Sequence, residues 1–286
     1  MGEAEIEALS EGGRDVFADL SSWWKFQVGG GDAETWLNDL ITARIDDLRP
    51  HESRRSLLLS RTGHVMAEFH VMGTDQGPLL VQDPTQPRPV QELLEPYVLS
   101  SDVSLQDRTG ELALLSFPTS GGKVVMFDAW MPSVLGSGVD QLFPSENLDG
   151  WKARNGHRVG AGEEDLEVWR IRRGIPRFGV DLSEDGLPAE AGWDGLIDRT
   201  KGCFLGQEAV AKVRNLGHPP RLIVPLHSAR PVKAGQTILA ATREVGTVTS
   251  AAPDGEGSAL LGRVRWEARD AELRTASGHP LARRAA

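Results

Sequence analysis

The chain has 286 residues, which is enough for two or three packed units rather than one. Its composition, 40% hydrophobic and 25% charged residues, is ordinary for a soluble globular protein, and no apolar run is long enough to span a bilayer. The net charge of −10 disfavours binding of nucleic acid or an anionic membrane by the surface as a whole, and the single cysteine excludes an internal disulfide framework.

The first half of the chain alternates strand-like and helix-like segments. Residues 24–28 alternate apolar and polar side chains as a half-buried strand does, and Asp32 can cap a helix whose apolar face includes Leu37 and Ile41. Further strands are predicted at 56–60, 65–72, 79–82, 103–105, 112–117 and 124–127, and helices at about 89–99, 163–173 and 207–214. This order predicts a ferredoxin-like α+β unit, with a second one built from the later elements.

After Pro219-Pro220 the pattern changes to short β-rich runs separated by turns. They lie at 222–226, 236–240, 245–250, 259–264 and 271–275. Such spacing predicts a small antiparallel barrel or sandwich at the C-terminus.

The only cysteine lies in the segment Lys201–Glu208, which reads KGCFLGQE. Cys203 is predicted to lie in a tight loop just before a helix, where unpaired backbone N–H groups and Lys201 would favour the thiolate. Gly202 and Gly206 would let the loop bend and a ligand approach. The alternative is that Cys203 is simply a small packed hydrophobic residue.

Several motifs that would indicate other activities are missing from the sequence. The glycines at 29–31 lack the third glycine of a dinucleotide fingerprint, and those at 121–122 lack the spacing of a P-loop. His64 and His70 would lie about 20 Å apart on one strand, too far to bind one metal ion. We therefore expect no intrinsic metal, and no iron–sulfur cluster held by this chain's cysteine alone. The acidic residues 1–15 are expected not to be a secretory signal or mitochondrial presequence, which predicts a cytoplasmic protein.

The cysteine segment meets every fixed position of the signature K-G-C-[FY]-x-G-Q-E and so resembles the YgfZ family of the folate-binding, GcvT-like superfamily (GcvT is the glycine-cleavage T-protein). Residues 171–176, 179–181 and 187–192 resemble the family's I-R-x-G-I-P, G-x-D and P-x-E blocks, and residues 28–42 loosely resemble its opening pattern. The resemblance implies an α+β fold with two ferredoxin-like domains and a C-terminal β-barrel around a central folate-type cavity. The implied domains are 1–45 with 106–218, then 46–105, then 219–286.

The resemblance also implies a function and a set of site residues. It implies a folate-binding accessory protein for iron–sulfur cluster assembly or repair, and thereby for tRNA thiolation, acting through a low-pKa Cys203. Lys201 would keep the thiol ionised or pair with an anionic ligand, Gly202 and Gly206 would shape the loop, and Gln207 and Glu208 would fix it to the helix. The implied residues of the folate cavity are Asn38, Thr42, Glu68, Arg108, Trp193 and Gln207.

The implied cofactor is tetrahydrofolate or a derivative, with a transient iron–sulfur cluster shared with a partner. The implied partners are folate and iron–sulfur enzymes or cluster-assembly proteins, with no direct contact to nucleic acid or membrane. Two alternatives stay open: a tetrahydrofolate-dependent aminomethyl or one-carbon transferase, and a non-catalytic folate-binding scaffold. Ala67 occupies the position of the first aspartate in the transferases' G-G-x-x-D-D pattern, which argues against the transferase.

Overall fold

The computed structural model describes residues 16–118, 130–136, 138–215 and 217–284. The strands are β1 (Val16–Asp19), β2 (Trp24–Gly29), β3 (Ser53–Leu59), β4 (Val65–Thr74), β5 (Gly77–Gln82), β6 (Ser104–Asp107), β7 (Leu112–Phe117), β8 (Trp130–Pro132), β9 (Val139–Pro144), β10 (Val159–Ala161), β11 (Arg221–Ser228), β12 (Thr237–Ala240), β13 (Arg243–Asp254), β14 (Gly257–Arg265), β15 (Leu273–Thr275) and β16 (Pro280–Arg283). The helices are α1 (Ala33–Asn38), α2 (Val90–Leu94), α3 (Leu148–Arg154), α4 (Glu163–Arg172) and α5 (Gln207–Asn215). Short 3₁₀ helices lie at Glu95–Tyr97, Ser145–Asn147, Pro188–Ala191, Trp193–Leu196 and Trp266–Ala268.

The chain divides into two compact units, and the first comprises Met1–Leu59, Met66–Leu166 and Leu196–Leu205. It contains two five-stranded sheets, with strand orders β10-β1-β7-β9-β8 and β3-β4-β5-β2-β6. All pairs with a defined register are antiparallel except β1 with β10.

The second of these sheets is buried on both faces. Leu37 of α1 and Leu93 of α2 pack on the face that carries Phe69 and Leu80. On the other face Leu79 and its neighbours pack against residues of the first sheet. Burial on both sides explains why β5 is an almost continuous apolar run instead of an alternating one.

The second unit comprises Ser60–Val65, Glu167–Gly195 and Gly206–Ala286. Its strands form a closed six-stranded barrel with the order β11-β14-β13-β12-β15-β16, around a core that includes Leu226 and Ile238. At Gly246 in β13 a Cβ atom would lie 2.2 Å from the carbonyl oxygen of Arg263, so only glycine permits this approach of β13 to β14.

A buried ion pair ties the end of α4 to the barrel within this second unit. Arg170 Nη1 donates to Asp181 Oδ2 at 2.8 Å, and Arg170 Nη2 donates to Ser250 Oγ of β13 at 2.9 Å. Asp181 is buried, and its Oδ1 accepts a bond from Ser250 Oγ at 2.7 Å. Each charge is therefore paired and hydrogen-bonded, as burial requires.

The closed C-terminal barrel confirms the prediction made from the short β-rich runs after Pro220. The sheets and helices together agree with the predicted α+β class. The predicted helix at 89–99 is shorter than expected: α2 ends at Leu94 and a 3₁₀ turn follows, because Pro96 has no N–H to donate. The strand predicted at 124–127 lies outside the described residues.

The N-terminal segment up to residue 45, predicted to belong to one domain, contributes strands to two different sheets. β2 pairs with β5 and β6, so residues 24–29 share a sheet with the segment 53–107. β1 instead pairs with β7 and β10. Local patterns do not encode this pairing, and the three-domain division stays a prediction.

Among the helices of the described residues, none has the length and apolar character needed to cross a membrane.

Candidate functional site

Cys203 lies on an exposed loop of the first unit, and its thiol is free. The neighbouring Gly202 is exposed as well, with open space where a Cβ would be. Gly206 has φ +83, a left-handed conformation that favours glycine, and its carbonyl accepts the first bonds of the α5 turn from Ala209 and Val210. The loop therefore presents the cysteine side chain to solvent immediately before the chain enters a helix.

Lys201 is buried, and its ammonium is bound by backbone carbonyls of the first unit. Nζ donates to the carbonyls of Ile41 and Ala43 at 2.8 Å each, and to the carbonyl of Asn38. An ammonium has three N–H donors, so these three acceptors use all of them. Burial lowers the pKa of Lys201 to about 8. No N–H of Lys201 is therefore left for a hydrogen bond to the anionic ligand that the resemblance implies, and its role in keeping the thiol ionised stays a prediction.

Asp198 supplies a second anchor for the same loop. Its Oδ1 accepts bonds from the Thr200 backbone N–H at 2.7 Å and the Lys201 backbone N–H at 3.1 Å, and its Oδ2 accepts one from Arg44 Nε at 3.2 Å. Its own N–H donates to the Thr42 carbonyl at 2.9 Å. Hydrogen bonds, chiefly from the Thr200 hydroxyl, lower the pKa of Asp198 to about 2.

The residues that follow the cysteine are held by apolar contacts. Phe204 is buried, and Leu205 packs against the core that contains Leu37. Lys201 Nζ lies 5.9 Å from the centre of the Phe204 ring, within the range of a cation–π interaction. Buried anchors thus flank the exposed Cys203 on both sides.

Asn38 and Thr42, predicted to line a folate cavity, are buried supports of this loop. Asn38 Oδ1 accepts the Ile45 N–H at 3.0 Å, and Thr42 Oγ1 accepts the Leu57 N–H at 2.9 Å. The side-chain acceptors of both residues are therefore engaged by backbone groups of the protein. Both residues lie beside the loop that contains Lys201, and their contacts hold that loop in place.

Glu68 lies on β4, on the sheet face opposite the core that contains Ala67. Its Oε1 accepts a bond from Arg55 Nε at 2.7 Å, and its side chain is 14% exposed. Gln86 brackets the Glu68 backbone, accepting from its N–H at 3.1 Å and donating to its carbonyl at 2.5 Å. A fixed, partly exposed carboxylate of this kind can accept N–H bonds from a flat heterocycle.

Three neighbours of Glu68 were not predicted from the sequence: Arg55, Gln86 and His70. Burial lowers the pKa of His70 to about 3, so this imidazole is neutral near pH 7. Of these three, only Arg55 has a sequence signal: it is a charged residue directly before the buried run of β3, but nothing local indicates that it pairs with Glu68.

The remaining predicted site residues lie in other parts of the two units. Arg108 belongs to the turn between β6 and β7, where it donates to Glu111 Oε2 at 2.6 Å and to Gln76 Oε1 at 3.2 Å. Trp193 is buried in the second unit, and Gln207 and exposed Glu208 begin α5. Across the ranges that the structure describes, no three His, Cys, Asp or Glu side chains are grouped so as to hold a metal ion.

No protein-family model matches the chain. A putative chloroplastic transferase of Arabidopsis thaliana is 25% identical over 285 residues, covering 88% of this chain and 66% of that protein. A mitochondrial homolog of the iron–sulfur cluster assembly factor IBA57 from Pyricularia oryzae is 25% identical over 231 residues, covering 73% of this chain and 56% of that protein. The chain thus spans about two thirds or less of the length of these two relatives.

Among solved structures, the glycine cleavage system aminomethyltransferase T of Bartonella henselae superposes with a TM-score of 0.82. The match covers 98% of this chain and 88% of that one at 18% sequence identity. The chain therefore has the GcvT-like fold, which confirms the predicted fold class.

Proposed function

We propose that this chain is a folate-binding accessory protein for iron–sulfur cluster assembly or repair and that it acts through Cys203. The observation that carries the proposal is the exposed thiol of the only cysteine, on a loop whose flanking side chains Lys201 and Phe204 are buried. A thiol held in this way is open to a partner's cluster, persulfide or thiol. One cysteine cannot complete a cluster's ligand set, so the cluster is cargo shared with thiolates of the partner.

The folate part of the proposal rests on the GcvT-like fold and on Glu68. A pterin presents ring and amino N–H groups, which suit the carboxylate that Arg55 and Gln86 fix on β4. The bound cofactor, tetrahydrofolate or a derivative, would supply a one-carbon carrier. Glu68 would orient its ring, and Asn38 and Thr42 would act only by supporting the neighbouring loop.

The proposed partners are iron–sulfur enzymes or cluster-assembly proteins, through which the chain would affect tRNA thiolation without touching nucleic acid or membrane itself. The relatives include an iron–sulfur cluster assembly factor homolog, which supports this choice of partner. A cytoplasmic location is part of the proposal, and the presence of only one cysteine supports it.

The decisive experiment is complementation of a strain that lacks this protein, with the activity of an iron–sulfur enzyme as the readout. Cys203→Ala is expected to leave activity at the level of the empty strain, because it removes the only thiol. Lys212→Ala, a change of an exposed residue on α5, serves as the control and is expected to restore activity. Full restoration by Cys203→Ala would disprove the role of the thiol; if that variant still bound folate, the chain would be a scaffold.

The second candidate is a tetrahydrofolate-dependent aminomethyl or one-carbon transferase. Glu68 favours this activity, because it places a carboxylate one residue after Ala67, the position where the transferases have an aspartate. Ala67 itself faces the hydrophobic core and can neither donate nor accept a proton. Turnover of tetrahydrofolate with an aminomethyl or methylated amine donor, abolished by Glu68→Gln, would establish this activity in place of the first.

A further inference from the structure

We infer that Lys201 is a positioning residue that fastens the loop 198–205 to residues 38–43 and so fixes the place of the Cys203 thiol; this deepens the proposed function and rests on it.

The first argument is the geometry around the ammonium. Its three acceptors, the carbonyls of Asn38, Ile41 and Ala43, converge on one point from the end of α1 and the turn after it. Carbonyls at a helix C-terminus lack intrahelical partners and carry partial negative charge, so a cation satisfies them well. Lys201 thus joins two stretches of chain that are far apart in sequence.

The second argument is the contrast in exposure between the two side chains. The ammonium of Lys201 is buried, whereas the side chain of Cys203 is in water. Water screens the field of a buried charge at an exposed thiol, and all three N–H groups point at carbonyls. The contribution of Lys201 to the thiol is therefore the place where the loop holds it, rather than its charge.

The third argument is that Asp198 holds the same loop with the opposite charge. Asp198 bonds the backbone of Thr200 and Lys201 and, through its own N–H, the Thr42 carbonyl. If charge mattered most, removing Lys201 or Asp198 would shift the thiol pKa in opposite directions. If position matters most, both changes loosen the loop in the same direction.

The experiment compares Lys201→Met and Asp198→Ala with the unsubstituted chain and with Lys212→Met as the control. Hydrogen exchange reports on the backbone amides of Asp198, Thr200 and Lys201, and the pH profile of iodoacetamide alkylation reports on Cys203. Since the chain has a single cysteine, alkylation has no background. We expect both variants to speed exchange of these amides about tenfold, the equivalent of one lost hydrogen bond, with an unchanged alkylation midpoint.

Midpoints that move by about one pH unit in opposite directions, with unchanged exchange, would overturn the inference in favour of a charge effect. Unchanged exchange and unchanged midpoints would also overturn it. If Lys201→Met fails to fold, Asp198→Ala, whose side chain is only partly buried, still tests the loop.

In a folded Lys201→Ala protein, added methylammonium is expected to restore slow exchange by refilling the three-carbonyl site. These readouts do not involve cluster enzymes, so the proposed function can fail independently through Cys203→Ala.

Discussion

Two buried ionisable residues of the first unit, Lys201 and Asp140, differ in how many of their hydrogen-bonding atoms have a partner. Lys201 has an acceptor for each of its donors. Asp140, also fully buried, accepts the Val134 N–H at 2.8 Å through Oδ2, while its Oδ1 has no hydrogen-bond partner in the described part of the chain. Burial raises the pKa of Asp140 to about 7, so this side chain holds a proton that an exposed aspartate would release.

The pKa of Asp140 predicts how stability depends on pH. Because the folded state holds the proton up to about pH 7 and the unfolded state releases it near 3.8, the contribution of Asp140 to stability falls as pH rises between these values. We expect Asp140→Asn to remove this fall, so that the free energy of unfolding in urea of the variant minus that of wild type is larger at pH 8 than at pH 4.

The control is Asp75→Asn, the same change at an exposed turn, which should follow the wild-type profile. His70 contributes the opposite slope, since its lowered pKa makes the folded state resist protonation between 6.5 and about 3. The test is therefore the difference between variant and wild type at each pH. A constant difference across the range would contradict the prediction.

At the scale of the elements, the close approach of β13 and β14 depends on Gly246. A Cβ there would meet the Arg263 carbonyl oxygen at 2.2 Å, and a backbone atom cannot move aside as a side chain can. We expect Gly246→Ala to destabilise the protein by about 3 kcal/mol through overpacking, measured as the free energy of unfolding in urea.

Gly110→Ala provides the matched control, because a Cβ at Gly110 meets no atom within 4 Å. This control is expected to change stability by less than about 0.5 kcal/mol, as exposed substitutions generally do. Equal effects of the two substitutions would show that the barrel accommodates a side chain at position 246.

At the scale of the whole molecule, the proposed folate site predicts stabilisation by ligand. A ligand that binds only the folded chain adds about 2.7 kcal/mol at a concentration one hundred times its Kd. We expect tetrahydrofolate to raise the melting temperature by several degrees, and Glu68→Gln to weaken this shift because it removes the carboxylate that we propose orients the ring. Glu184→Gln, an exposed change, should preserve the shift. The folate proposal fails if wild-type protein melts at one temperature with and without ligand.

Much of the architecture could be predicted from the sequence, and the reasons are local. The apolar face of α1, the helix after Gly206 and the β-rich C-terminus all have short-range signals of periodicity and turns. The short strand β16 was missed, because its four residues alternate too briefly to give a signal. The pairing of β2 with β5 and β6 was missed because it joins segments that are distant in sequence.

The candidate site shows the same division between local and distant information. The exposed loop position of Cys203 follows from glycines on both sides of it. The hydrogen-bond partners of Lys201 could not be predicted, because they are backbone carbonyls. Every residue has one, so the sequence does not indicate which of them Lys201 contacts. Glu68 was found through a resemblance, whereas its partner Arg55 becomes visible only when β3 and β4 lie side by side.

The bonds from the Lys201 ammonium span 158 to 163 residues of chain. During synthesis the segment 38–43 leaves the ribosome long before Lys201. Its carbonyls therefore cannot accept hydrogen bonds from the Lys201 ammonium until that residue has been made. Contacts of such high sequence separation form slowly, because a long stretch of chain must be closed first. The Cys203 thiol is therefore held in its final position only after residue 201 has been synthesised and has reached the carbonyls of residues 38–43.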